Sequence, residues 1–225
     1  RCGAREIRFF DDTFTIDQQR LTAICEGLRK NHPNLLWTCL TKVDKVSKEV
    51  LQMMKEAGCW QILYGLESGD DNILQSLKKG TTVEQGRQAV NWAYEAGLRV
   101  RADFIVGTPL ETVESLQKTL DFALSLPIDF AHFNKFVPFP GTEIYERLRQ
   151  EGFSFDVESP SSTLDHDALV YVPAGLKEDE YRQFLDKAYK AFYLRPSFLL
   201  WRLFSMRTWT EFTGHLKGFF SIASM

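Results

Sequence analysis

Apolar positions along this chain switch repeatedly between a strand-like and a helix-like spacing. Short runs rich in β-branched, aromatic and leucine side chains predict strands at Glu6–Phe10, Leu35–Leu40, Trp60–Leu66, Val100–Val106 and Phe130–Val137. Between them lie helical segments with start signals. Thr15-Ile-Asp-Gln18 and Thr81-Thr-Val-Glu84 fit a capping box, and Thr108-Pro-Leu-Glu111 fits one with proline at the first helical position. Ala57-Gly58 and Ala96-Gly97 place a glycine where a helix ends before the next strand. The units recur at intervals of about 25 to 35 residues, the spacing of strand–helix repeats, and predict an α/β protein with a parallel sheet. Five strands do not close an ordinary eight-stranded barrel, so the pattern leaves a doubly wound open sheet or a partial barrel.

The repeat stops after Phe153. Ser159-Pro-Ser-Ser-Thr163 reads as a loop, Asp165–Val172 as a short extended piece and Lys177–Tyr193 as a helix. An aromatic tail follows over Arg195–Met225. The expected division is therefore a barrel-like domain over residues 1–153 and a loop and helical extension over 154–225.

Polar clusters fall where strands hand over to helices, as in FFDDTFT, YGLESG, DFIVGTPLET and FVPFPGTEIY. In a (β/α) barrel these loops converge at the mouth where ligands bind. Asp11 and Asp12 can cap a helix, stay solvated, or accept from a cation or amine. Glu67 follows an apolar strand, and a carboxylate there can accept from both hydroxyls of a ribose. Gly65 and Gly69 beside it permit close backbone approach. Lys78 and Lys79 suit a helix C-terminus as solvated charges. Asp103 lies in an apolar run where an unpaired charge is costly, so it needs a partner, and Arg101 two residues earlier faces the same side. Pro138 and Pro140 end the last strand in a rigid turn. His132, Asn134 and Lys135 on that strand are candidates for the interior, although a lone histidine is more often structural.

Composition changes little. The 225 residues are 44% hydrophobic and 25% charged, with net charge −3, which suits one globular domain with an appended tail and gives no reason to expect nucleic acid. Neither a signal peptide nor an apolar run long enough to span a bilayer is apparent, and a cytoplasmic location is expected. Cys2, Cys25, Cys39 and Cys59 are spaced too widely for a metal or redox motif and read as buried, reduced thiols. FFDDTFT follows almost at once on Arg1, so an upstream segment of the same protein is expected.

The four strand-end motifs, in this order, resemble the radical S-adenosylmethionine (SAM) superfamily. Within it they are similar to the cobalamin-associated Fe–S oxidoreductase branch, which includes methyltransferases, hopanoid-modifying enzymes and the anaerobic magnesium-protoporphyrin IX monomethyl ester cyclase group. The resemblance covers residues 5–148. It implies strands two to six of a six-stranded partial barrel and reductive cleavage of SAM at a 4Fe-4S cluster, giving a 5′-deoxyadenosyl radical for oxidation, cyclisation or methylation of a small molecule. It implies that Asp11 and Asp12 take the place of the motif contacting the SAM amino group, that Glu67 and Asp103 contact ribose, and that Lys79 pairs with the SAM carboxylate. Ile105, Val106 and Gly107 would pack beneath adenine, with backbone around Val137 holding its edge. No catalytic residue is assigned. The CxxxCxxC cluster motif is absent, so metal ligands are expected outside this chain, with cobalamin a further candidate cofactor. This chain alone is expected to be inactive.

Two other classes remain open. One is a barrel that has lost the cluster and serves as a scaffold or binding module. The other is an unrelated barrel enzyme, which would want a glycine-rich phosphate loop or a catalytic lysine on a strand. The free sheet edge predicts self-association. The tail carries Phe198, Trp201, Phe204, Trp209, Phe212, Phe219 and Phe220 with Arg195, Arg202, Arg207 and Lys217. It reads first as packing against the protein and second as a membrane-surface element.

Overall fold

The computed structural model describes residues 3–154, 169–196 and 198–200. Strands β1 (Glu6–Phe9), β2 (Leu36–Thr41), β3 (Cys59–Glu67), β4 (Arg99–Val106) and β5 (Phe130–Lys135) form one sheet in sequential order. The β1–β2, β2–β3 and β3–β4 pairs are parallel. Between the strands lie α1 (Gln18–Asn31), α2 (Lys48–Glu56), α3 (Asp71–Ser76), α4 (Val83–Glu95) and α5 (Val113–Ser125); α6 (Glu143–Gln150) and α7 (Glu178–Tyr193) follow. The strand order decides between the two architectures. A doubly wound sheet reverses its order at a switch point, whereas unbroken sequential order with right-handed crossovers puts the connecting helices on one face. This is the arrangement of a partial (β/α) barrel.

The strand sequences agree with it. Along β4, Val100, Ala102, Phe104 and Val106 are fully buried, while Arg99, Arg101, Asp103 and Ile105 alternate with them and stay partly exposed. One face therefore carries the helix-packed core and the other carries polar side chains.

Two compact units are resolved, Arg1–Phe104 with Lys118–His132, and Ile105–Gln117 with Phe133–Met225. In the first, Phe9 stacks on Phe14 at 4.4 Å between ring centroids and meets Trp37 edge-on at 5.5 Å. Trp37 is fully buried and donates its indole N–H to the Ala57 carbonyl at 2.8 Å. Such a buried aromatic cluster adds about 1 kcal/mol per ring pair beyond the area it removes from water. In the second, α7 buries Tyr181, Phe184, Leu185, Ala188 and Phe192, the stripe of a helix with one apolar face. Phe136, Leu148 and Tyr171 form a cluster on which Ile105 and Ile144 pack.

The five strands and α7 match the sequence reading to within two residues at each end, and Gly58 and Gly97 follow the helix ends with φ +93° and +73°. The helix starts shift. Asp17, not Thr15, caps α1 by accepting from the Arg20 amide, while the Thr15 hydroxyl is buried against that of Thr41. The box opening α4 is Thr82 with Gln85, one residue later than read. The cap of α5 is Thr112, which exchanges hydrogen bonds with Ser115 at 2.9 and 3.2 Å. Repeated Thr and Ser make several registers plausible by pattern, and tertiary contacts choose among them. The Ser159–Thr163 loop lies outside the described residues, as does most of Asp165–Val172 and of the tail. Leu169–Val172, the described part, form no strand.

Candidate functional site

The C-terminal end of β3 is locally distorted. Gly65 pairs with Asp103 and Glu67 with Phe104, so β3 advances two residues while β4 advances one. Leu66 turns into the core and Glu67 takes φ +63°, in the left-handed region that side chains other than glycine seldom occupy. This swings the Glu67 carboxylate back across Gly65. A Cβ built on Gly65 would lie 2.4 Å from Glu67 Oε1 and 3.0 Å from Lys79 Nζ, so the missing side chain is what gives the pair its room. Lys79 Nζ donates to Glu67 Oε1 at 2.6 Å, with both side chains mostly shielded from solvent. Lys79 is aimed there by the end of α3. Its amide closes on the Leu74 carbonyl and the preceding Lys78 has φ +52°. Two residues separated by twelve in sequence are thus brought together on one strand end.

Gly69 has a different reason. Its Cβ would lie 2.5 Å from the Lys118 carbonyl oxygen, so it permits close packing of α5 rather than approach of a ligand, which corrects the reading of that glycine.

On the next strand Asp103 accepts from Arg101 Nε at 2.9 Å and from Nη2 at 3.4 Å, the ion pair anticipated from their spacing. Arg101 Nη2 also lies 3.1 Å from His132 Nδ1. A guanidinium only donates, so Nδ1 is the acceptor and the imidazole carries its proton on Nε2. Burial and the adjacent Arg101 charge push the His132 pKa below its ordinary value, against a smaller opposing pull from Asp103. His132 is accordingly neutral at pH 7. After β1, Asp11 is held by Arg20 Nη2 at 2.6 Å, whereas Asp12 is exposed and makes no ion pair among the described residues.

In the second unit, the turn after β4 is held from two sides. The Val106 carbonyl accepts from the Phe136 amide at 2.8 Å and from the Tyr181 hydroxyl at 2.5 Å. Gly107 has φ +83°, and a Cβ there would meet the Tyr181 oxygen at 2.2 Å. The Val106 side chain points into the core, and Ile105 beside it packs on the Phe136, Leu148 and Tyr171 cluster. Glu111 is 1% exposed and accepts from Ser115 Oγ at 2.6 Å and Thr108 Oγ1 at 3.2 Å. Burial raises its pKa, and those hydroxyl bonds only partly offset it. Val137 is half-buried beyond the end of β5, which stops at Lys135. The Phe139 carbonyl then accepts from the Thr142 amide at 3.2 Å, the rigid turn read from the prolines.

Sequence reasoning assigned no role to Tyr181 and read Glu111 only as part of a capping box. Tyr181 lies seventy-odd residues from its partner and left no local signal. Glu111 looked like a helix cap, a pattern that fits its spacing but not its buried position.

Comparison with known proteins assigns the family. The model of the radical SAM superfamily matches residues 1–123, and the chain belongs to that superfamily. An uncharacterized methyltransferase of Pyrococcus horikoshii is 33% identical over 209 residues, covering 90% of this chain and 44% of that protein. The anaerobic magnesium-protoporphyrin IX monomethyl ester cyclase of Rubrivivax gelatinosus is 26% identical over 199 residues, covering 86% and 35%. The chain thus spans less than half the length of these curated relatives. In fold it is similar to the radical SAM methyltransferase TsrM of Kitasatospora setae, solved with cobalamin and a 4Fe-4S cluster (TM-score 0.60, 18% identity, 80% of this chain and 38% of that one). It is also similar to coproporphyrinogen III oxidase of Escherichia coli (TM-score 0.62, 16% identity, 85% and 40%).

The superfamily uses SAM and a 4Fe-4S cluster. The described residues do not fit the cluster: no group of three or more His, Cys, Asp or Glu among them is arranged to hold a metal. Cys25, Cys39 and Cys59 are free and buried, in α1, in β2 and at the start of β3, and none lies in a loop that follows a strand. Burial, with Cys59 nearby, raises the Cys25 pKa to about 11, so the thiolate needed for iron is disfavoured. SAM is another matter. Its ammonium, carboxylate and hydroxyls call for acceptors and a cation at a strand end, which Glu67 and Lys79 supply. No helix among the described residues is long and apolar enough to cross a membrane.

Proposed function

We propose that this chain forms the SAM-binding wall of a radical SAM enzyme that oxidises, cyclises or methylates a small molecule. The observation that supports it most is the Glu67–Lys79 pair laid across Gly65 at the distorted end of β3. In this reading Glu67 accepts from the ribose hydroxyls and Lys79 turns to the SAM carboxylate. Asp103 keeps Arg101 on one side and offers its remaining lone pairs to ribose. One of Asp11 and Asp12 accepts from the ammonium, and Asp12 is the one without a competing ion pair. Backbone at Val106, Gly107 and Val137 lines the adenine. Cluster ligands, and cobalamin if it takes part, belong to the longer protein, and this chain alone is inactive. Placement in the cytoplasm and a small-molecule substrate belong to the same proposal.

The test is anaerobic reconstitution of a longer form that includes the segment upstream of Arg1. SAM binding is measured by calorimetry and 5′-deoxyadenosine is measured after addition of reductant. Wild type is expected to release 5′-deoxyadenosine. Glu67→Gln is expected to lose at least tenfold in SAM affinity, the worth of one or two charge-assisted hydrogen bonds. Unchanged affinity in Glu67→Gln and Lys79→Met would sink the site assignment. A folded protein with neither cluster nor product would favour the scaffold reading.

A further inference from the structure

Glu67 does not keep its conformation unaided. The Ser68 amide donates to the Leu66 carbonyl at 2.8 Å, so Glu67 at φ +63° is the middle of a three-residue turn of the strained kind. Such a turn persists only where its flanks are fixed. Leu66, on the strand side, is buried, and a Cβ built on Gly86 of α4 would lie 3.2 Å from its Cδ2. On the other side the fixing is polar and comes from α5. Thr119 Oγ1 accepts from the Gly69 amide at 3.0 Å and shares a hydrogen bond of 3.1 Å with Ser68 Oγ. Ser68 Oγ in turn accepts from the Asp70 amide at 3.1 Å. Asp70 caps α3 by accepting from the Asn72 amide at 2.8 Å, and its other oxygen accepts from Lys118 Nζ at 2.9 Å. Ser68, Asp70 and Thr119 are all buried. The three residues after Glu67 are thus tied to two neighbouring residues of one helix, and Gly69 admits that helix at close range.

We propose that Thr119 is a positioning residue for Glu67: its hydroxyl, acting through Gly69 and Ser68, holds the carboxylate in place before SAM arrives. Docking α5 on the sheet does not call for that hydroxyl. Leu120, Phe122 and Ala123 are buried, and Phe122 meets Phe104 of β4 edge-on, so apolar contact already supplies the adhesion. What the hydroxyl adds is direction, at the two residues that follow the strained one. Without it the Gly69 amide and the Ser68 hydroxyl lose a buried partner, and the turn is free to relax towards an ordinary backbone conformation. Relaxation carries the carboxylate away from Gly65. A fall of the competent conformation to about one fifth raises the apparent dissociation constant about fivefold, with every ligand-contacting group still present. Lys118 supports the same turn from outside, but its ammonium is half exposed and its pair with Asp70 is screened, so the buried threonine carries more of the constraint. The inference rests on reading Glu67 as the ribose acceptor, whereas the tie between Thr119 and the turn exists with or without SAM.

The experiment uses the intact protein that carries this chain, reconstituted anaerobically, with SAM affinity measured by calorimetry. Thr119→Val, which keeps the shape and removes the hydroxyl, is expected to weaken SAM binding about fivefold. Thr119→Ser, which restores the hydroxyl, is expected to stay within about twofold of wild type. In a Glu67→Gln background, Thr119→Val is expected to cost less than about twofold, because the carboxylate it positions is gone. A merely structural threonine would cost the same in both backgrounds, and that result overturns the proposal. So does full affinity in Thr119→Val, or a serine variant as weak as the valine one. A second readout needs no ligand. Hydrogen exchange across residues 66–71 is expected to quicken at least about tenfold in Thr119→Val while β2 keeps its protection. Urea midpoints check that each variant is folded; should Thr119→Val not be, Ser68→Ala breaks the same tie from its other end and is held to the same outcomes. Unchanged SAM affinity in Glu67→Gln would remove the ribose reading. Exchange then decides alone: faster exchange leaves the hold of Thr119 on the turn standing, and unchanged exchange overturns it.

Discussion

Glu67 shows how a single residue can be set against local preference by its task. A non-glycine residue at φ +63° is strained by about 1 kcal/mol, and glycine would remove that strain at the same place. Retaining a glutamate there makes sense only if its carboxylate is needed where the bulge delivers it, 2.6 Å from Lys79. The strain gives a test independent of any ligand. Both Glu67→Ala and Glu67→Gly lose the ion pair, but only glycine relaxes the backbone. Urea unfolding should therefore find Glu67→Gly more stable than Glu67→Ala by about 1 kcal/mol, despite the greater entropy of glycine in the unfolded chain. Equal stabilities, or alanine ahead, would mean the backbone at residue 67 is not held left-handed. The carboxylate itself was visible in the sequence as a polar residue closing an apolar strand. Its contact with Lys79 was not, because the bulge that turns Glu67 back across Gly65 depends on the register with β4.

At the scale of elements, strands were legible because β-branched, aromatic and leucine side chains concentrate in them, and the ends of α2 and α4 because Gly58 and Gly97 adopt positive φ. Helix starts were less so. Thr15 and Thr108 both look like caps, and only packing shows that Thr15 is buried against Thr41 while Thr108 serves a turn. The turn after β4 is the clearest case of long-range control. Gly107 is excluded from carrying a side chain by Tyr181 of α7, and Val106 is held by the same hydroxyl. Glu111 completes that turn through Ser115 and Thr108, and its burial makes the turn sensitive to pH. The folded state raises its pKa above 4.5 and so holds a proton that the unfolded chain releases. Its contribution to stability is therefore largest below about pH 4.5 and is lost as pH rises through the elevated folded value. Glu111→Gln keeps a hydrogen-bonding group and cannot ionise. Between pH 4.5 and 7.5 the variant is expected to gain stability relative to wild type, measured as a difference in urea midpoints. A difference that stays flat across that range would show that Glu111 titrates as it does in the unfolded chain.

At the scale of the whole molecule, the sequential strand order leaves β1 paired on one side among the described residues. The Leu36 amide donates to the Arg5 carbonyl, so Arg5, Ile7 and Phe9 turn their backbone groups towards β2. Glu6 and Arg8 turn theirs outward, since the direction alternates along a strand. Unmatched outward groups on a strand flanked by exposed Phe10 are a template for pairing with a second copy. We propose that this edge drives self-association of the chain, opposed by the charges of Glu6, which accepts from Trp60, and Arg8, which lies over the Phe10 ring. The orientation makes two proline variants behave oppositely. Arg8→Pro removes an outward donor and leaves the β2 ladder intact, which an edge strand tolerates. Ile7→Pro removes a donor that β2 uses. Sedimentation across a concentration series should show association in wild type and a monomer in Arg8→Pro at unchanged helical and strand content. Ile7→Pro should lose stability by about 3 kcal/mol, the order of a proline that breaks a backbone hydrogen bond. Association that persists undiminished in Arg8→Pro would move the contact to another surface.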